Sequence, residues 1–310
     1  MTEKKSLESS ESSKKYKKYF LFFISLFSLL LLISKHTEIS ESIRYALRFC
    51  VSSIIPSIFP FFIFADFLAS LCYNGKLAHL VTYIFGVNLN CFPAIICGLI
   101  CGFPSGVKWA VKLYDEGLIS KKELENLIGI INLPSFAFSV CAVGLGMLGS
   151  FYDGFVLYSI TVISSVFLAQ FFRCKQRKTM NTADFHGQNF DLSNSIKDAG
   201  FSSLVVTSYI VFFSIVIKLL SIFIKDQEAF ALIVSFIEIG NATYLISQTD
   251  SLSIVFKALL IGFSLGFSGI SVHLQAIALL PGSISKAIYY KTKLLQGLIC
   301  AVFFALYKMI

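Results

Sequence analysis

The chain has 310 residues, of which 56% are hydrophobic and only 14% are charged. Average soluble domains carry about 25% charged residues, so this composition excludes a soluble enzyme, a disordered scaffold, a collagen-like fibre and a disulfide-stapled secreted module. The apolar runs are continuous, whereas a membrane β-barrel needs short segments of alternating polarity. The sequence therefore predicts an all-α transmembrane bundle, long enough for roughly eight spans of about 20 residues each.

Basic residues are concentrated at two places, although the net charge is +8 overall. Because lysines directly before an apolar run mark the cytoplasmic flank of a span, we expect a cell-membrane protein with a cytoplasmic N-terminus. No basic stripe with interleaved aromatics is present, so the expected partner is the lipid bilayer and not nucleic acid. The two clusters are Lys4, Lys5, Lys14, Lys15, Lys17 and Lys18, and then Arg173, Lys175, Arg177 and Lys178.

Nearly all of the eight cysteines lie inside apolar runs, and none forms a C-x-x-C pair. They are therefore interpreted as small apolar residues, and we expect no metal site, cofactor or disulfide framework. The cysteines are Cys50, Cys72, Cys91, Cys97, Cys101, Cys141, Cys174 and Cys300.

Apolar and polar runs alternate along the chain and divide it into two membrane halves. Residues 19–33 resemble a signal sequence in length, but no cleavage site follows, so they predict a retained anchor and first span. We expect a basic tail at 1–18, a first membrane half at 19–173, a cytoplasmic linker at 174–198 and a second membrane half at 199–310. Further apolar runs lie at 48–71, 80–101, 128–149, 154–172, 201–224, 229–247, 254–272 and 294–308, with polar stretches at 35–44, 112–126 and 282–293.

A glycine pattern recurs in the two halves. The run Gly98-Leu-Ile-Cys-Gly102-Phe-Pro-Ser-Gly106 is matched 164 positions later by Gly262-Phe-Ser-Leu-Gly266-Phe-Ser-Gly269. Glycine-interrupted apolar segments at matching places are typical of transporters with internal repeats. Charge placement then predicts a re-entrant hairpin over 80–114 and inverted halves. In this topology Lys286, Lys291 and Lys293 would lie on the extracytoplasmic side, which disagrees with the preference of lysine for the cytoplasmic side.

The sharpest local feature of the first half is Phe103-Pro104-Ser105-Gly106. Proline disfavours helix before it and glycine tolerates positive φ, so together they interrupt the helix. Interrupted helices at membrane depth are tolerated where their free backbone groups face protein or a cavity, and their ends are already aimed at a ligand. A stripe of small residues for helix packing is the alternative. The candidate substrate-binding residues here are Gly102, Pro104, Ser105, Gly106, Lys108 and Asn132, the last of which could instead cap a helix.

The second half offers a similar cluster, with hydroxyl, imidazole and amide groups in an apolar context. Hydrogen bonds to neighbouring helices are the alternative, and for His273 alone that alternative is favoured. The candidates are Gly266, Ser268, Gly269, Ser271, His273 and Gln275.

Two carboxylates lie inside apolar runs, Asp66 and Glu238. A carboxylate in hydrocarbon costs about 2.5–3.5 kcal/mol or more, so each should face a cavity or a partner, or be protonated. They are candidates for coupling transport to a proton or cation. The alternatives are placement near an interface, or pairing with a lysine such as Lys108.

Catalytic motifs are missing or out of context. Gly262-Phe-Ser264-Leu-Gly266 fits the nucleophile-elbow pattern, but that pattern works only at a strand-to-helix turn. No H-E-x-x-H, Walker A or dinucleotide fingerprint is present. We therefore do not expect an enzyme.

Over about residues 43–310 the sequence resembles the sporulation integral membrane proteins of the YlbJ type, within the nucleoside-recognition (Gate) domain group. The resemblance implies a role in spore formation in endospore-forming Firmicutes, and an architecture related to concentrative nucleoside transporters. The chain departs from the family in two ways: it is shorter than typical members, and it has Val107 where the family often has alanine. The resemblance is carried by Pro56-Ser-Ile-Phe-Pro-Phe-Phe62, Gly102-Phe-Pro-Ser-Gly-Val-Lys108, Gly117-Leu-Ile-Ser-Lys-Lys-Glu123, Asn132-Leu-Pro-Ser-Phe136 and Gly266-Phe-Ser-Gly-Ile-Ser-Val-His-Leu-Gln275.

The sequence thus predicts a transporter-like protein that moves a small polar solute, nucleoside-like or an ion, during spore formation. The alternative is a non-transporting membrane scaffold or assembly factor; a homo-oligomer is compatible with either. A transporter should bring segments 102–108 and 266–275 together near Asp66 or Glu238. A scaffold should show dry, fully packed interruptions.

Overall fold

The computed structural model describes residues 2–71, 75–172 and 191–310, and these ranges contain helices and no strands. The predicted all-α fold is therefore confirmed for the described part of the chain. Within those ranges, five helices are long and apolar enough to cross a membrane, and a bent pair raises the number to six. This supports a multi-pass membrane protein with fewer full-length helices than the roughly eight spans that the length allows. The five are His36–Leu68, Phe151–Phe171, Leu192–Phe223, Ile254–Leu279 and Ala287–Met309.

Residues 36–44 of the stretch 35–44, which the sequence separates as polar, are helical, and only Lys35 interrupts the helix that precedes them. That stretch remains helical because its polar groups lie on one surface, where Glu38 pairs with Lys35 at 2.9 Å and with Lys218 at 3.4 Å. A π-helical turn, Cys50–Ile54, then continues the helix without a break. The helices here are α1 (Thr2–Ser34), α2 (His36–Phe49) and α3 (Ile55–Leu71).

The rest of the first half consists of shorter helices that bend or stop inside apolar runs. Lys76–Phe85 and Leu89–Ile100 meet at 98°, just after Gly86 adopts a φ of 66°. Whether the predicted hairpin at 80–114 enters and leaves on one side of the bilayer stays a prediction. The elements are α4 (Lys76–Phe85), a 3-10 turn (Leu89–Cys91), α5 (Phe92–Ile100), α6 (Ser105–Asp115), α7 (Lys121–Ile131), a π-helix (Phe138–Met147) and α8 (Phe151–Phe171).

The second half begins with a long helix that includes the end of the predicted linker, 192–198. The last helix begins at Ala287, so it also includes much of the predicted polar stretch 282–293. Lys293 is fully buried inside the protein, and the side of the membrane on which Lys286, Lys291 and Lys293 lie stays a prediction. The helices are α9 (Leu192–Phe223), α10 (Gln227–Ile237), α11 (Ile239–Gln248), α12 (Ile254–Phe267), α13 (Gly269–Leu279) and α14 (Ala287–Met309).

Helix α14 packs closely against α12 through glycines. A Cβ atom on Gly262 would lie 2.5 Å from the Cys300 carbonyl oxygen, and one on Gly266 would lie 2.6 Å from the Gln296 carbonyl oxygen. Backbone-to-backbone packing of this kind is typical of small residues in membrane helices. Gly266 therefore serves helix packing, the alternative interpretation of such glycines.

Several predicted features lie outside what the structure describes. They are the side chains of Lys4, Lys5, Lys14, Lys15 and Lys17, the cluster Arg173, Lys175, Arg177 and Lys178, most of the linker 174–198, and Cys72 and Cys174. The six described cysteines are free thiols, of which Cys141 is exposed and the others are buried.

Candidate solute site at the interrupted helices

In the first half, two interruptions contact each other. Helix α5 ends at Ile100 and α6 begins at Ser105, with Gly102 at a φ of 72° between them. The Phe103 N–H donates to the Leu133 carbonyl at 2.9 Å. A Cβ on Gly102 would lie 2.4 Å from the Ser135 nitrogen, so only glycine fits this crossing. The gap after α5 thus meets the gap between α7 and the following π-helix.

The second half contains a similar pair of interruptions. Glu238 separates α10 from α11, and Ser268, at a φ of 77°, separates α12 from α13. A Cβ on Gly269 would lie 3.0 Å from the Ile237 carbonyl oxygen and 3.2 Å from the Glu238 Cα. Each half therefore places two helix gaps in contact.

Residues in or near each of the four helix gaps contribute to the wall of one buried cavity of about 30 Å³. A buried water needs roughly 10–15 Å³ on this measure, so the cavity has room for about two. Of the two segments expected to converge, 102–108 contributes only Phe103 to the cavity and 266–275 contributes Val272 and Gln275, with Glu238 beside them. The lining residues are Cys101, Phe103, Ser135, Phe138, Glu238, Ile239, Val272 and Gln275 from the interrupted helices, and Ile54, Ile58, Val206 and Ile210 from α3, its preceding turn and α9.

Glu238 is the charged group of this cavity, and its side chain is 1% exposed. Its Oε1 accepts from the Gly240 N–H at 2.9 Å and its Oε2 from the Asn241 N–H at 2.6 Å. The carboxylate thus caps the N-terminus of α11, where the helix dipole favours negative charge. Among the salt bridges of the described residues, none involves Glu238.

Gln275 and Ser135 supply the other polar side chains of the cavity, and both are buried. The Gln275 Oε1 atom has no hydrogen-bond partner. The Ser135 Oγ accepts from the Phe138 N–H at 3.0 Å, which leaves its own O–H to donate. Ser135, Glu238 and Gln275 therefore place a small group of oxygen atoms on an otherwise apolar wall.

A second buried network connects α13 and α14 with the interruption after α7. The Tyr289 hydroxyl lies 2.7 Å from His273 Nδ1 and accepts from Asn132 Nδ2 at 2.9 Å. Lys293 Nζ donates to the Asn132 carbonyl at 2.8 Å and to Gln296 Oε1 at 2.7 Å. No carboxylate pairs with Lys293 in the salt bridges of the described chain. Asn132 therefore joins both elements instead of acting as a helix cap alone.

Buried polar atoms without a partner are concentrated around these two clusters. Natural proteins leave few such atoms, and each marks a place where a water, an ion or a functional constraint is to be expected. Among the described residues there are six such atoms, and four of them belong to residues that the sequence singles out. They are Asn132 Oδ1, Ser271 Oγ, His273 Nε2 and Gln275 Oε1, beside Ser139 Oγ and Thr292 Oγ1.

Other predicted site residues lie away from the cavity. Lys108 is 46% exposed and pairs with Asp198 at 2.7 Å. The Asp66 Oδ1 accepts from the Trp109 indole N–H at 2.8 Å, and the carboxylate does not line the cavity. A Cβ on Gly106 would lie 2.8 Å from the Gly98 Cα, so Gly106 holds α5 and α6 together.

The remaining candidates shape the interruptions. Pro104 is the N-cap residue of α6 and Ser105 is its first residue. Ser268 is buried and its Oγ donates to the Leu265 carbonyl at 3.4 Å. These residues set the backbone path beside the cavity and do not themselves line it.

Tyr289, Lys293 and Gln296 are buried polar residues that the sequence did not single out as site residues. Their spacing places them on one face of a helix, which was the available signal. The stretch before residue 294 is polar, however, and therefore resembles a loop when the helix start is unknown.

Comparison with known proteins yields one informative relative. The chain is 27% identical over 298 residues to the sporulation integral membrane protein YlbJ of Bacillus subtilis (strain 168), an alignment that covers 81% of this chain and 72% of that protein. No family model matches the chain, and no solved structure matches it. The similarity supports the predicted relationship to sporulation integral membrane proteins and a multi-pass membrane protein.

Proposed function

We propose that this protein is a membrane transporter that moves a small polar solute, either nucleoside-like or an ion, during spore formation. The observation that carries the proposal is the buried cavity to which interrupted helices of both halves contribute Cys101, Ser135, Glu238 and Gln275. The link to spore formation comes from the similarity to YlbJ of Bacillus subtilis. Placement in the cell membrane with a cytoplasmic N-terminus belongs to the same proposal.

The polar chemistry of the cavity favours transport over a purely structural role. A buried carboxylate without an ion-pair partner and a buried amide oxygen without a donor both cost folding free energy. Natural proteins retain such costs mainly at functional sites. A scaffold would need the Glu238 carboxylate only as the cap of α11, and it would not need the unpartnered amide oxygen of Gln275.

On this proposal the described conformation is a closed state of the transporter, because the cavity is small. Pockets for drug-sized ligands measure about 300–1,000 Å³, whereas this cavity measures about 30 Å³. A nucleoside-like solute therefore requires the interrupted helices to separate. Ser268, whose positive φ breaks α12 from α13, is the natural hinge for that movement.

Solute uptake into proteoliposomes tests the proposal. The purified chain is reconstituted and screened against a panel of radiolabelled nucleosides, small organic acids, amino acids and inorganic ions. Glu238→Gln, which retains the shape but not the charge at the cavity, should lower uptake of the transported solute at least about tenfold. Gly106→Leu should also abolish uptake, since it forces α5 and α6 apart.

Gly200→Ala is the matched control, because a Cβ there meets nothing within 4 Å. It should transport like the wild type. If the wild type transports nothing, or if Glu238→Gln and Gly106→Leu both transport normally, the scaffold alternative replaces this proposal.

A further inference from the structure

We propose that Glu238 and Gln275 form a binding site for one monovalent metal cation, sodium or potassium. As the coupling ion for a solute, this cation deepens the transport function proposed above and rests on it. Its binding, however, can be measured without any transport.

The first argument is charge. Asp153, the other carboxylate that is almost completely buried, pairs with Lys308 at 2.6 Å. Glu238 has no such cation among the salt bridges of the described residues, and it is only 1% exposed. An ionised carboxylate is very costly to bury unless it is paired with a cation, binds a metal or takes up a proton. A cation in the adjoining cavity supplies the missing partner.

The second argument is the set of ligand atoms. A carboxylate offers about four lone-pair positions. The backbone N–H groups of Gly240 and Asn241 occupy two of those on Glu238, and the Asn241 side chain also hydrogen-bonds the carboxylate. The remaining positions, the unpartnered Gln275 Oε1 and the Ser135 Oγ are all hard oxygen atoms. Hard oxygen ligands select alkali and alkaline-earth cations over transition metals.

The third argument selects a single positive charge. Calcium takes six to eight oxygen ligands, whereas magnesium demands near-octahedral geometry and keeps several bound waters. The cavity offers one carboxylate and about 30 Å³ of space. One monovalent cation with a water molecule matches both the charge and the volume.

The position of the site also gives the cation a mechanical role. Glu238 lies between α10 and α11, whereas Gln275 lies on α13, whose first residue, Gly269, packs against Ile237 and Glu238. A cation held by both side chains joins α13 to the interruption between α10 and α11. Because a ligand stabilises the conformation that binds it, the cation favours the closed state.

The test is binding of radiolabelled sodium to the full chain purified in detergent, with choline chloride keeping the ionic strength constant. Unlabelled potassium is the competitor. The wild type should bind about one cation per chain, and its melting temperature should rise with sodium but not with choline. Glu238→Gln and Gln275→Leu should each weaken binding about tenfold or more.

Asp153→Asn is the matched control, since it removes a buried carboxylate that already has a lysine. It should melt at a lower temperature and bind sodium with unchanged affinity. If Glu238→Gln does not fold, Gln275→Leu decides the question, because it leaves the cap of α11 intact.

The absence of saturable sodium or potassium binding to the folded wild type overturns the site. Binding that survives both cavity substitutions places the cation elsewhere and overturns it too. Cation binding without uptake of any solute would leave the site standing and contradict the transport function. Solute uptake that is equal in sodium, potassium and choline, with no cation bound, would support the transport function and overturn the cation site.

Discussion

The ammonium group of Lys293 donates a 2.8 Å hydrogen bond to the main-chain carbonyl of Asn132, 161 positions earlier in the chain. Asn132 follows the last residue of α7, so this bond fixes the helix gap of the first half to α14 in the second. The Asn132 side chain adds a bond to the Tyr289 hydroxyl at 2.9 Å. Helix α14 thus holds together elements from both halves beside the candidate site.

Replacement of Tyr289 by phenylalanine should destabilise the fold by about 1–3 kcal/mol. It removes the hydroxyl that partners both Asn132 and His273 and leaves those buried groups unpaired. The measurement is the melting temperature in detergent. Tyr290→Phe, at the exposed neighbouring position, should melt like the wild type. Equal melting temperatures for the two variants would show that the hydroxyl contributes nothing.

Replacement of Lys293 by methionine should maintain or raise the melting temperature while it lowers solute uptake. The substitution preserves volume and removes a buried charge that no carboxylate neutralises, which offsets the loss of bonds to Asn132 and Gln296. Lys291→Met, on the exposed face, should change neither quantity. A marked fall in the melting temperature of Lys293→Met would mean that the lysine is retained for stability.

The glycine at position 98 should tolerate no side chain. A Cβ there would lie 2.5 Å from the Ile131 carbonyl oxygen, so Gly98→Ala should cost about 1–3 kcal/mol through overpacking. Gly200→Ala, in open space within α9, should instead stabilise the helix by about 0.5–1 kcal/mol. Thermal melts of both variants check the prediction, and a Gly98→Ala protein as stable as Gly200→Ala would refute the close approach of α5 to Ile131.

Asp66→Asn should leave uptake and its cation dependence unchanged. Asp66 accepts from the Trp109 indole, an amide oxygen can accept the same bond, and the residue does not line the cavity. The measurement is uptake in parallel with Glu238→Gln. Loss of cation dependence in Asp66→Asn alone would move the coupling role to that carboxylate.

The sequence was sufficient to predict the helical fold and the interruption at Phe103-Pro104, because proline and glycine act on the backbone locally. It also singled out Glu238 and Gln275 as polar groups inside apolar runs. It could not predict that Asp66 and Lys108 lie apart from them, since that depends on how distant helices pack. The buried face of α14 was missed for the same reason.

The spacing of the helix gaps differs from the repeat that the glycine pattern predicts. Gly102 and Asn132 each precede their counterparts in the second half, Glu238 and Ser268, by 136 positions, whereas the glycine runs are 164 positions apart. The glycines that match at an offset of 164 positions serve close helix packing, a role that glycines have in many membrane helices. The duplication itself stays a prediction. An offset of 136 positions aligns the helix gaps of the two halves, whereas an offset of 164 positions does not.

The central claim is that the buried cavity opens to water during transport, and Cys101 provides a native reporter because its side chain lines that cavity. The measurement is labelling by a membrane-impermeant maleimide in a variant that has alanine at the other cysteine positions. A matched variant retains only Cys91, which is buried away from the cavity. We predict that Cys101 is labelled and that sodium slows the labelling, whereas Cys91 stays unlabelled. Complete protection of Cys101 with and without the transported solute would contradict the account.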